Sequence, residues 1–246
     1  MFYMEKGLSR TSIKYIVTLA MVINHAAQIF MPEWSFLREL LISIGYVTAI
    51  TMSFFLVEGF SHTRDRKKYI ERLFIFALIS ELPFNLAFTK EGIISFHSFS
   101  FMFSLTIAAS VIYIMDEWEY GTKRNLALIL LMLLSLISDW DIFSILFVLL
   151  FRWAGKDRKK IEFSVLSSAL LFAATMFLGN LGAIPFSQSL VTALFNFSGM
   201  ALSAVFIVKL YNGEKGGRGT KLEKWFFYAF YPLHLIALAI IRLMIF

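Results

Sequence analysis

Long apolar runs separated by short polar segments dominate the chain. A helix needs about 20 apolar residues to cross the hydrocarbon core of a membrane. The predicted spans are 12–31, 37–60, 69–89, 93–115, 124–138, 140–154, 161–179, 187–208 and 225–244. The fifth and sixth are short, and an alternative is one broken unit, because 138-SDWD-141 leaves little room for a loop. The pattern predicts an all-α fold, a polytopic transmembrane bundle of about nine helices in one integral membrane domain, 1–246.

Composition also favours a membrane protein. Of the 246 residues, 59% are hydrophobic, whereas soluble domains usually contain about 45–50%. The N-terminus has no small-residue cleavage site after an apolar run, so the first run is expected to remain as a span. The absence of cysteine excludes disulfides, thiolate metal ligands and a thioester-enzyme intermediate.

The basic residues indicate the topology. With the N-terminus inside, 20 of the 23 lysines and arginines fall in cytoplasmic segments, and only Arg38, Lys90 and Arg242 fall outside. This positive-inside bias predicts a cytoplasmic N-terminus and an extracytoplasmic C-terminus. The net charge of +6 therefore reflects topology, and no nucleic-acid partner is expected. The longest polar insert, 209–225, is expected to be a flexible cytoplasmic linker.

Polar groups inside the first span are the first candidate site. Charged groups inside a membrane cost roughly 2.5–3.5 kcal/mol each and mark function by default. At 100° per residue, one stripe of the helix carries Lys14, Thr18, Met21, His25 and Gln28, with Asn24 beside it. A lysine at the entrance suits an anionic ligand, and a histidine deeper in suits proton transfer. The competing interpretation is a neutral histidine bonded to a neighbouring helix.

The second candidate is 54-FFLVEGFSHTRDRKKY-69. Glu58 and His62 are four residues apart and share a helix face. The basic residues that follow suit phosphate groups, although ordinary positive-inside charge also explains them. Of these basic residues, the candidates for binding are Arg64, Lys67, Lys68 and Arg72.

Two further candidates lie beside prolines. Glu81 lies within the third span, where Pro83 is expected to kink the helix and expose a carbonyl. In the ninth span Tyr231 and His234 are three residues apart. Each group also has a purely structural interpretation as a cross-link between helices. The acidic pair of 138-SDWD-141 is expected to be a solvated outer turn, and the sequence contains no metal-binding motif, so no metal is predicted.

Three blocks of sequence resemble the TraX family of bacterial membrane proteins. They are 13-IKYIVTLAMVINHAAQIF-30, 56-LVEGFSHTRDRKKYIERLFIFALISELPF-84 and 228-YAFYPLHLIALAIIR-242. The middle block is the most specific. The resemblance also implies an Asp-His pair in the first span and an R-[IL]-A-F-P run before E-G-F, whereas this chain has Asn24-His25 and no such run. Either another carboxylate replaces that aspartate, or the chemistry is altered or lost.

The family's activity is N-terminal acetylation of conjugative pilin, so the resemblance implies acyl transfer from cytoplasmic acetyl-CoA to a peptide, glycan or lipid acceptor in a bacterial cytoplasmic membrane. His25 is the expected general base, and Glu58 or Glu81 orients it or holds the acceptor. Lys14 and the basic residues after His62 are expected to bind donor phosphates, while Tyr231 and His234 line the tunnel or polarise the thioester. The alternatives are a small proton-coupled transporter and a non-catalytic membrane subunit or lapsed acyltransferase. Membrane lipids are expected partners in each case.

Overall fold

The computed structural model describes residues 7–33, 35–90, 92–217 and 221–245. In these residues the chain forms nine α-helices and no sheet, only isolated bridges. The helices are α1 (Arg10–Phe30), α2 (Phe36–Ser61), α3 (Arg66–Phe88), α4 (Phe101–Glu117), α5 (Thr122–Ser135), α6 (Phe143–Ala154), α7 (Arg158–Asn180), α8 (Phe186–Ala204) and α9 (Lys221–Ile245). A π-helical turn, Val205–Leu210, continues α8. The all-helical prediction is confirmed.

Five of these helices are long and apolar enough to cross a membrane: α1, α2, α7, α8 with its π turn, and α9. α5 and α6 have 14 and 12 residues. At about 1.5 Å per residue they are about 21 and 18 Å long, which is shorter than the hydrocarbon core of about 30 Å. The chain is therefore a helical protein with several helices of membrane-spanning length, and the nine-span topology stays a prediction.

The structure corrects two local expectations and decides between two interpretations of a third region. Residues 93–100, predicted as the start of the fourth span, are not helical, and α4 begins at Phe101. The short fifth and sixth runs are two separate helices joined by a turn at 136–142. The described part of the predicted linker after α8 is held to α1: the carbonyls of Leu210, Glu214 and Lys215 accept backbone N–H bonds from residues 8–11. Residues 218–220 of that linker lie outside the described residues.

The chain folds as two compact units. The first comprises Met1–Phe55 and Leu150–Gly217, and the second comprises Leu56–Leu149 and Arg218–Phe246. The chain passes from one unit to the other within α2, within α6 and after residue 217.

In the first unit, polar side chains tie helices to one another through backbone carbonyls. The Asn24 amide donates to the carbonyl of Ile42, 2.6 Å away, and joins α1 to α2. The Ser203 hydroxyl donates to the carbonyl of Val47 and joins α8 to α2. Small residues allow this close approach, because a Cβ atom at Gly199 would lie 1.9 Å from the Ser43 carbonyl oxygen.

Adding a methyl group at this contact is expected to destabilise the protein. Gly199→Ala forces α8 away from α2 and is expected to cost about 1–3 kcal/mol, measured as a lower thermal unfolding midpoint in detergent. The matched control is Gly179→Ala in α7, where a Cβ would meet nothing within 4 Å. That change lowers the conformational entropy of the unfolded chain, so its effect on stability is expected to be neutral or slightly favourable. Equal midpoints for the two variants would contradict the close contact.

In the second unit, α3 and α9 run side by side in the same direction. In the first half of each helix, the Phe76 and Tyr228 rings lie 5.2 Å apart between centroids. At their far ends, the Arg242 guanidinium donates to the carbonyls of Thr89, at 2.9 Å, and Ile93, at 2.8 Å. Arg242 is only 6% exposed, and it places a positive charge at the C-terminal, negative end of α3. These contacts fix the segment after α3, where the candidate site begins.

Candidate functional site

A face of α3 holds an extended segment that returns along the helix. Glu81, Asn85 and Thr89 are spaced four residues apart and share this face. The Thr89 hydroxyl oxygen accepts the N–H of Ser95 at 2.9 Å, and the Asn85 amide oxygen accepts the N–H of His97 at 2.6 Å. Non-helical backbone in a membrane protein needs such partners, because lipid offers none.

The next contact of this face reaches the start of α4. Ser100 precedes α4, and both its N–H and its hydroxyl donate to the Glu81 carboxylate, at 3.1 and 2.8 Å. The N–H of Phe101 donates to the Tyr231 hydroxyl oxygen at 3.2 Å. A helix N-terminus has exposed N–H groups and partial positive charge, so side chains from α3 and α9 satisfy the first donors of α4.

The turn between α5 and α6 meets the same segment. The N–H of Asp139 donates to the carbonyl of Phe99 at 2.7 Å, and the N–H of Phe99 donates to the carbonyl of Ile137 at 2.9 Å. The hydroxyls of Ser104 and Ser138 are hydrogen-bonded at 3.0 Å. The turn therefore has a fixed position beside the start of α4.

Three consecutive residues, Phe99, Ser100 and Phe101, thus contact Asp139, Glu81 and Tyr231 respectively. Consecutive Cα atoms are about 3.8 Å apart, so the side chains of Glu81 and Tyr231 and the backbone of Asp139 meet neighbouring residues of one short segment. We call Glu81, Ser100, Asp139 and Tyr231 the carboxylate–tyrosine site. Among the described residues, neither carboxylate has an ion-pair partner.

Asp139 lies in a crowded but accessible position. Its side chain is exposed, although protein atoms crowd around it. The loss of hydration in this crowded position, with the like charges of Asp141 and Glu81, raises the pKa of Asp139 from 3.8 to about 7. Burial also raises the pKa of Asp141.

The raised pKa predicts a pH-dependent stability. Between about pH 4 and 7 the folded protein retains the Asp139 proton that the unfolded chain has released, so stability falls as the pH rises through this window. Asp139→Asn removes this contribution. Thermal unfolding in detergent across the window is expected to give a flatter pH slope for the variant, with a higher relative midpoint above about pH 7. Parallel slopes would contradict the raised pKa.

His234 lies next to the site on α9. It is 8% exposed and packs edge-on against Tyr231 with ring centroids 5.4 Å apart. Its Nδ1 lies 3.0 Å from the Phe230 carbonyl oxygen. Because a carbonyl only accepts, we assign the proton to Nδ1, and the neutral ring then carries its lone pair on Nε2.

The other predicted residues of this unit lie towards the opposite end of α3. Glu58, which is half-buried, and the exposed His62 lie at the end of α2. The side chain of Asp65 caps α3 by accepting the N–H of Lys68 at 3.0 Å, and that contact lowers the pKa of Asp65. Exposed basic residues at this start of α3 are Arg64, Lys67 and Lys68.

Arg66, Lys68 and Arg72, in the same basic run, already have partners, and the Lys68 ammonium pairs with the Asp65 carboxylate at 3.1 Å. Arg66 forms ion pairs with Asp116 and Glu117, both at 3.0 Å. Arg72 lies over the Tyr69 ring. Glu58 lies near the first turn of α3, and that turn is about 22 Å from Glu81 along the helix axis. The two carboxylates therefore do not form one site.

The first unit contains the remaining predicted residues. His25 is 6% exposed in α1. Its neighbour Asn24 is the cross-link to α2 and also accepts a hydrogen bond from Gln28. The ammonium of Lys14 lies 5.9 Å from the centre of the Phe55 ring.

Sequence analysis missed two members of the site. Asp139 belongs to a motif interpreted as a solvated turn, and Ser100 lies in a run interpreted as membrane helix. The spacing of Glu81, Asn85 and Thr89 along α3 was an available signal, because three polar groups on one face need polar partners. Among the described residues, no group of three or more His, Asp or Glu side chains is arranged to hold a metal ion.

Comparison with known proteins gives two matches. Residues 9–242 match the family described as TraX protein. The chain is also 29% identical over 237 residues to the probable fimbrial assembly protein FimC, serogroup H1, of Dichelobacter nodosus, covering 94% of each chain. No solved structure matches.

Proposed function

The chain belongs to the TraX family, and we propose that it is an integral membrane acyltransferase of the bacterial cytoplasmic membrane. It transfers an acetyl group from cytoplasmic acetyl-CoA to an amine or hydroxyl of a cell-envelope acceptor. The observation that carries this proposal is the convergence of Glu81, Asp139 and Tyr231 on residues 99–101. Such ionisable groups in a membrane protein mark function by default.

The positions of the basic residues give the membrane orientation that this proposal uses. With the N-terminus in the cytoplasm, α3 and α9 both run outward, in agreement with their parallel packing. The basic start of α3 then lies at the cytoplasmic side, and the carboxylate–tyrosine site lies towards the outside. α5 and α6 are too short to cross the core, so the turn that carries Asp139 lies below the outer surface. Non-helical backbone at that depth is tolerated where it lines a polar cavity.

The donor is proposed to bind at the cytoplasmic side. Arg64, Lys67 and Lys68 are exposed beside the N-terminus of α3, and this arrangement suits the phosphates of a nucleotide-containing thioester. Arg72 and His62 are proposed to contact the same donor. Lys14 of the first unit stays a proposed donor-binding residue on its charge alone. The donor supplies the acetyl group, and the reaction needs no metal.

The acceptor chemistry needs a base and a carbonyl-polarising group. We propose His25 as the base that removes the proton from the attacking amine or hydroxyl. The Tyr231 oxygen accepts the Phe101 N–H, and we propose that Tyr231 contacts the thioester carbonyl and polarises it. Glu81 and Ser100 hold the start of α4 in place, Glu58 and His234 orient neighbouring polar groups, and Asn24 keeps α1 against α2.

The acceptor class includes a pilin-like peptide, a glycan and a lipid. The matching protein of Dichelobacter nodosus is named for fimbrial assembly, which favours a peptide acceptor of a surface fibre.

The experiment that tests this function is direct. Purified protein in lipid nanodiscs is incubated with radiolabelled acetyl-CoA, and binding and loss of the thioester are measured. An acyltransferase binds acetyl-CoA and consumes it. A proton-coupled transporter or a non-catalytic subunit leaves it unbound, and that result would refute the proposal. Replacing Arg64, Lys67 and Lys68 by glutamine is expected to weaken binding, whereas the same change at Arg158, Lys159 and Lys160 of α7 is the matched control.

A further inference from the structure

We propose that the start of α7 is a binding site for an anionic phospholipid of the cytoplasmic leaflet. The site comprises the cations Arg158, Lys159 and Lys160 and the neighbouring rings of Trp153 and Phe163, and all five residues belong to the first unit. We call it the α7 lipid site. Its role goes beyond acyl transfer and does not depend on it, so the two proposals can fail separately.

The same four residues, D-R-K-K, stand at the start of two helices. They are 65–68 in α3 and 157–160 in α7. In both copies the aspartate is the N-cap: Asp65 accepts one backbone N–H of the first turn at 3.0 Å, and Asp157 accepts two at 2.9 and 3.2 Å. Each carboxylate thus satisfies the first donors of its helix. Because the local sequence is identical, a difference between the copies comes from their surroundings.

The protein supplies acidic partners to the copy in α3. The Arg66 guanidinium forms ion pairs with Asp116 and Glu117, both at 3.0 Å. The Lys68 ammonium pairs with the Asp65 carboxylate at 3.1 Å. Two of the three cations of this copy are therefore already paired within the protein.

The cations of the copy in α7 have no acidic partner. Among the described residues, Arg158, Lys159 and Lys160 form no ion pair, and their side chains are exposed. Glu162 follows one turn later and pairs with none of them. The N-terminus of α7 adds a partial positive charge. This surface therefore attracts an anion, and a phosphate group suits closely spaced lysines and arginine.

An apolar stripe continues from these cations along α7. Phe163, Leu166 and Leu170 are 58%, 40% and 63% exposed. They share the helix face of Lys159, because the spacings from it are four, three and four residues. A headgroup phosphate at the cations and an acyl chain along the stripe match one phospholipid molecule. A free phosphate or a nucleotide would leave the stripe uncovered, so we assign the site to a lipid.

The Trp153 ring indicates the depth of the site in the membrane. It is 56% exposed, and its centre lies 5.0 Å from the Lys160 ammonium and 6.1 Å from the centre of the Phe163 ring. Tryptophan is enriched at the level of lipid headgroups. In the predicted topology α7 starts at the cytoplasmic side, where anionic lipids give the membrane surface a negative potential. The cations then lie among headgroups and the stripe lies among acyl chains.

The stripe is a second difference between the two copies. The third residue after D-R-K-K is Phe163 in α7 and Glu71 in α3. Glu71 is exposed, so a carboxylate lies where the phosphate and acyl chain of a lipid would meet. The start of α3 therefore suits a soluble anion from the cytoplasm, and the start of α7 suits a lipid.

The test measures lipid binding to the purified full-length protein in neutral detergent by native mass spectrometry. Phosphatidylglycerol and phosphatidylcholine are the probes, because both contain a phosphate and two acyl chains but only the first has a net charge. The wild type is expected to bind phosphatidylglycerol at least tenfold more tightly. Equal affinity for the two lipids would overturn the proposal, and so would displacement of phosphatidylglycerol by millimolar inorganic phosphate.

A triple variant locates the site. Replacing Arg158, Lys159 and Lys160 by glutamine is expected to weaken phosphatidylglycerol binding about 100-fold, because each cation near a membrane surface contributes about fivefold. Since the three side chains are exposed and the capping aspartate is kept, the thermal unfolding midpoint in phosphatidylcholine is expected to equal that of the wild type.

The matched control removes the same charge from the other copy. Replacing Arg64, Lys67 and Lys68 by glutamine is expected to weaken phosphatidylglycerol binding less than threefold. Equal losses in the two triple variants would show that binding follows net charge alone, and that result would refute a site at α7.

An exchange between the copies tests the stripe. Phe163→Glu gives α7 the residue that α3 has at this position and is expected to weaken phosphatidylglycerol binding about fivefold, as much as the loss of one cation. Phosphatidylglycerol with a photoreactive group in its acyl chain is expected to label residues 163–170 in the wild type and not in the triple variant of α7. Labelling confined to other helices would overturn the proposal.

Discussion

Glu81→Ala is expected to destabilise the protein and to abolish most acetyl transfer. The substitution leaves the N–H and hydroxyl of Ser100 without an acceptor at a position that is 0% exposed. Each unsatisfied buried donor costs about 1–3 kcal/mol, so a loss of about 3 kcal/mol is expected. Because the start of α4 then shifts, Asp139 and Tyr231 move apart, and a misplacement of about 1 Å lowers transfer about 100-fold.

Glu81→Gln separates the two effects. The glutamine oxygen still accepts one donor of Ser100, so the thermal midpoint in detergent is expected to lie between those of the wild type and Glu81→Ala. Glu162→Ala, at an exposed position of α7, serves as the control for removing a carboxylate and is expected to leave both stability and transfer unchanged. A Glu81→Ala protein as stable as this control would contradict the capping role.

His25→Ala is expected to lower acetyl transfer about 10²- to 10⁴-fold, the range that general-base catalysis contributes. Acetyl-CoA binding is expected to persist, because the proposed donor residues are exposed basic groups elsewhere. His25 is buried, so His25→Gln is measured in parallel as a variant that fills the same space. Gln28→Ala, on an exposed position one turn away, controls for perturbing α1. Full transfer by a folded His25→Gln protein would contradict the assignment.

Much of the helical order could be predicted from hydropathy because each helix is a continuous apolar run. The boundaries of α1, α2 and α7 lie within about three residues of the predicted spans. The error at 93–100 has a physical cause. Ile93, Ile94 and Phe96 give this segment the hydropathy of a membrane helix, yet all three side chains are exposed. Its backbone is satisfied by polar side chains of α3 and not by a helix of its own.

The candidate site could be predicted only in part. Glu81 and Tyr231 were identified because ionisable and phenolic groups beside prolines are unusual in apolar runs, and the structure brings them to adjacent residues of one segment. Glu58 was identified as an ionisable group within a span, four residues before His62, but it lies near the other end of α3. Asp139 escaped prediction because the position of a turn relative to α3 and α9 depends on long-range pairing with Phe99, which no local pattern records.

The role of Asn24 also depends on a long-range contact that the local sequence does not record. The resemblance to the family implied an aspartate next to His25, and the sequence offered Asn24 as a binding residue. In the structure its amide donates to the Ile42 carbonyl, and an aspartate has no N–H with which to make that bond. The asparagine is therefore explained by packing of α1 against α2.

The most direct test of the proposed acyl transfer is mass spectrometry of envelope peptides, glycans and lipids from cells that contain the protein and from cells that lack it. Cells that contain the His25→Gln protein are the control, because they show whether the protein in the membrane affects acetylation without the proposed base. We predict one acceptor species heavier by a single acetyl group, present only with the wild-type protein. Identical acetylation in all three samples would contradict the central claim.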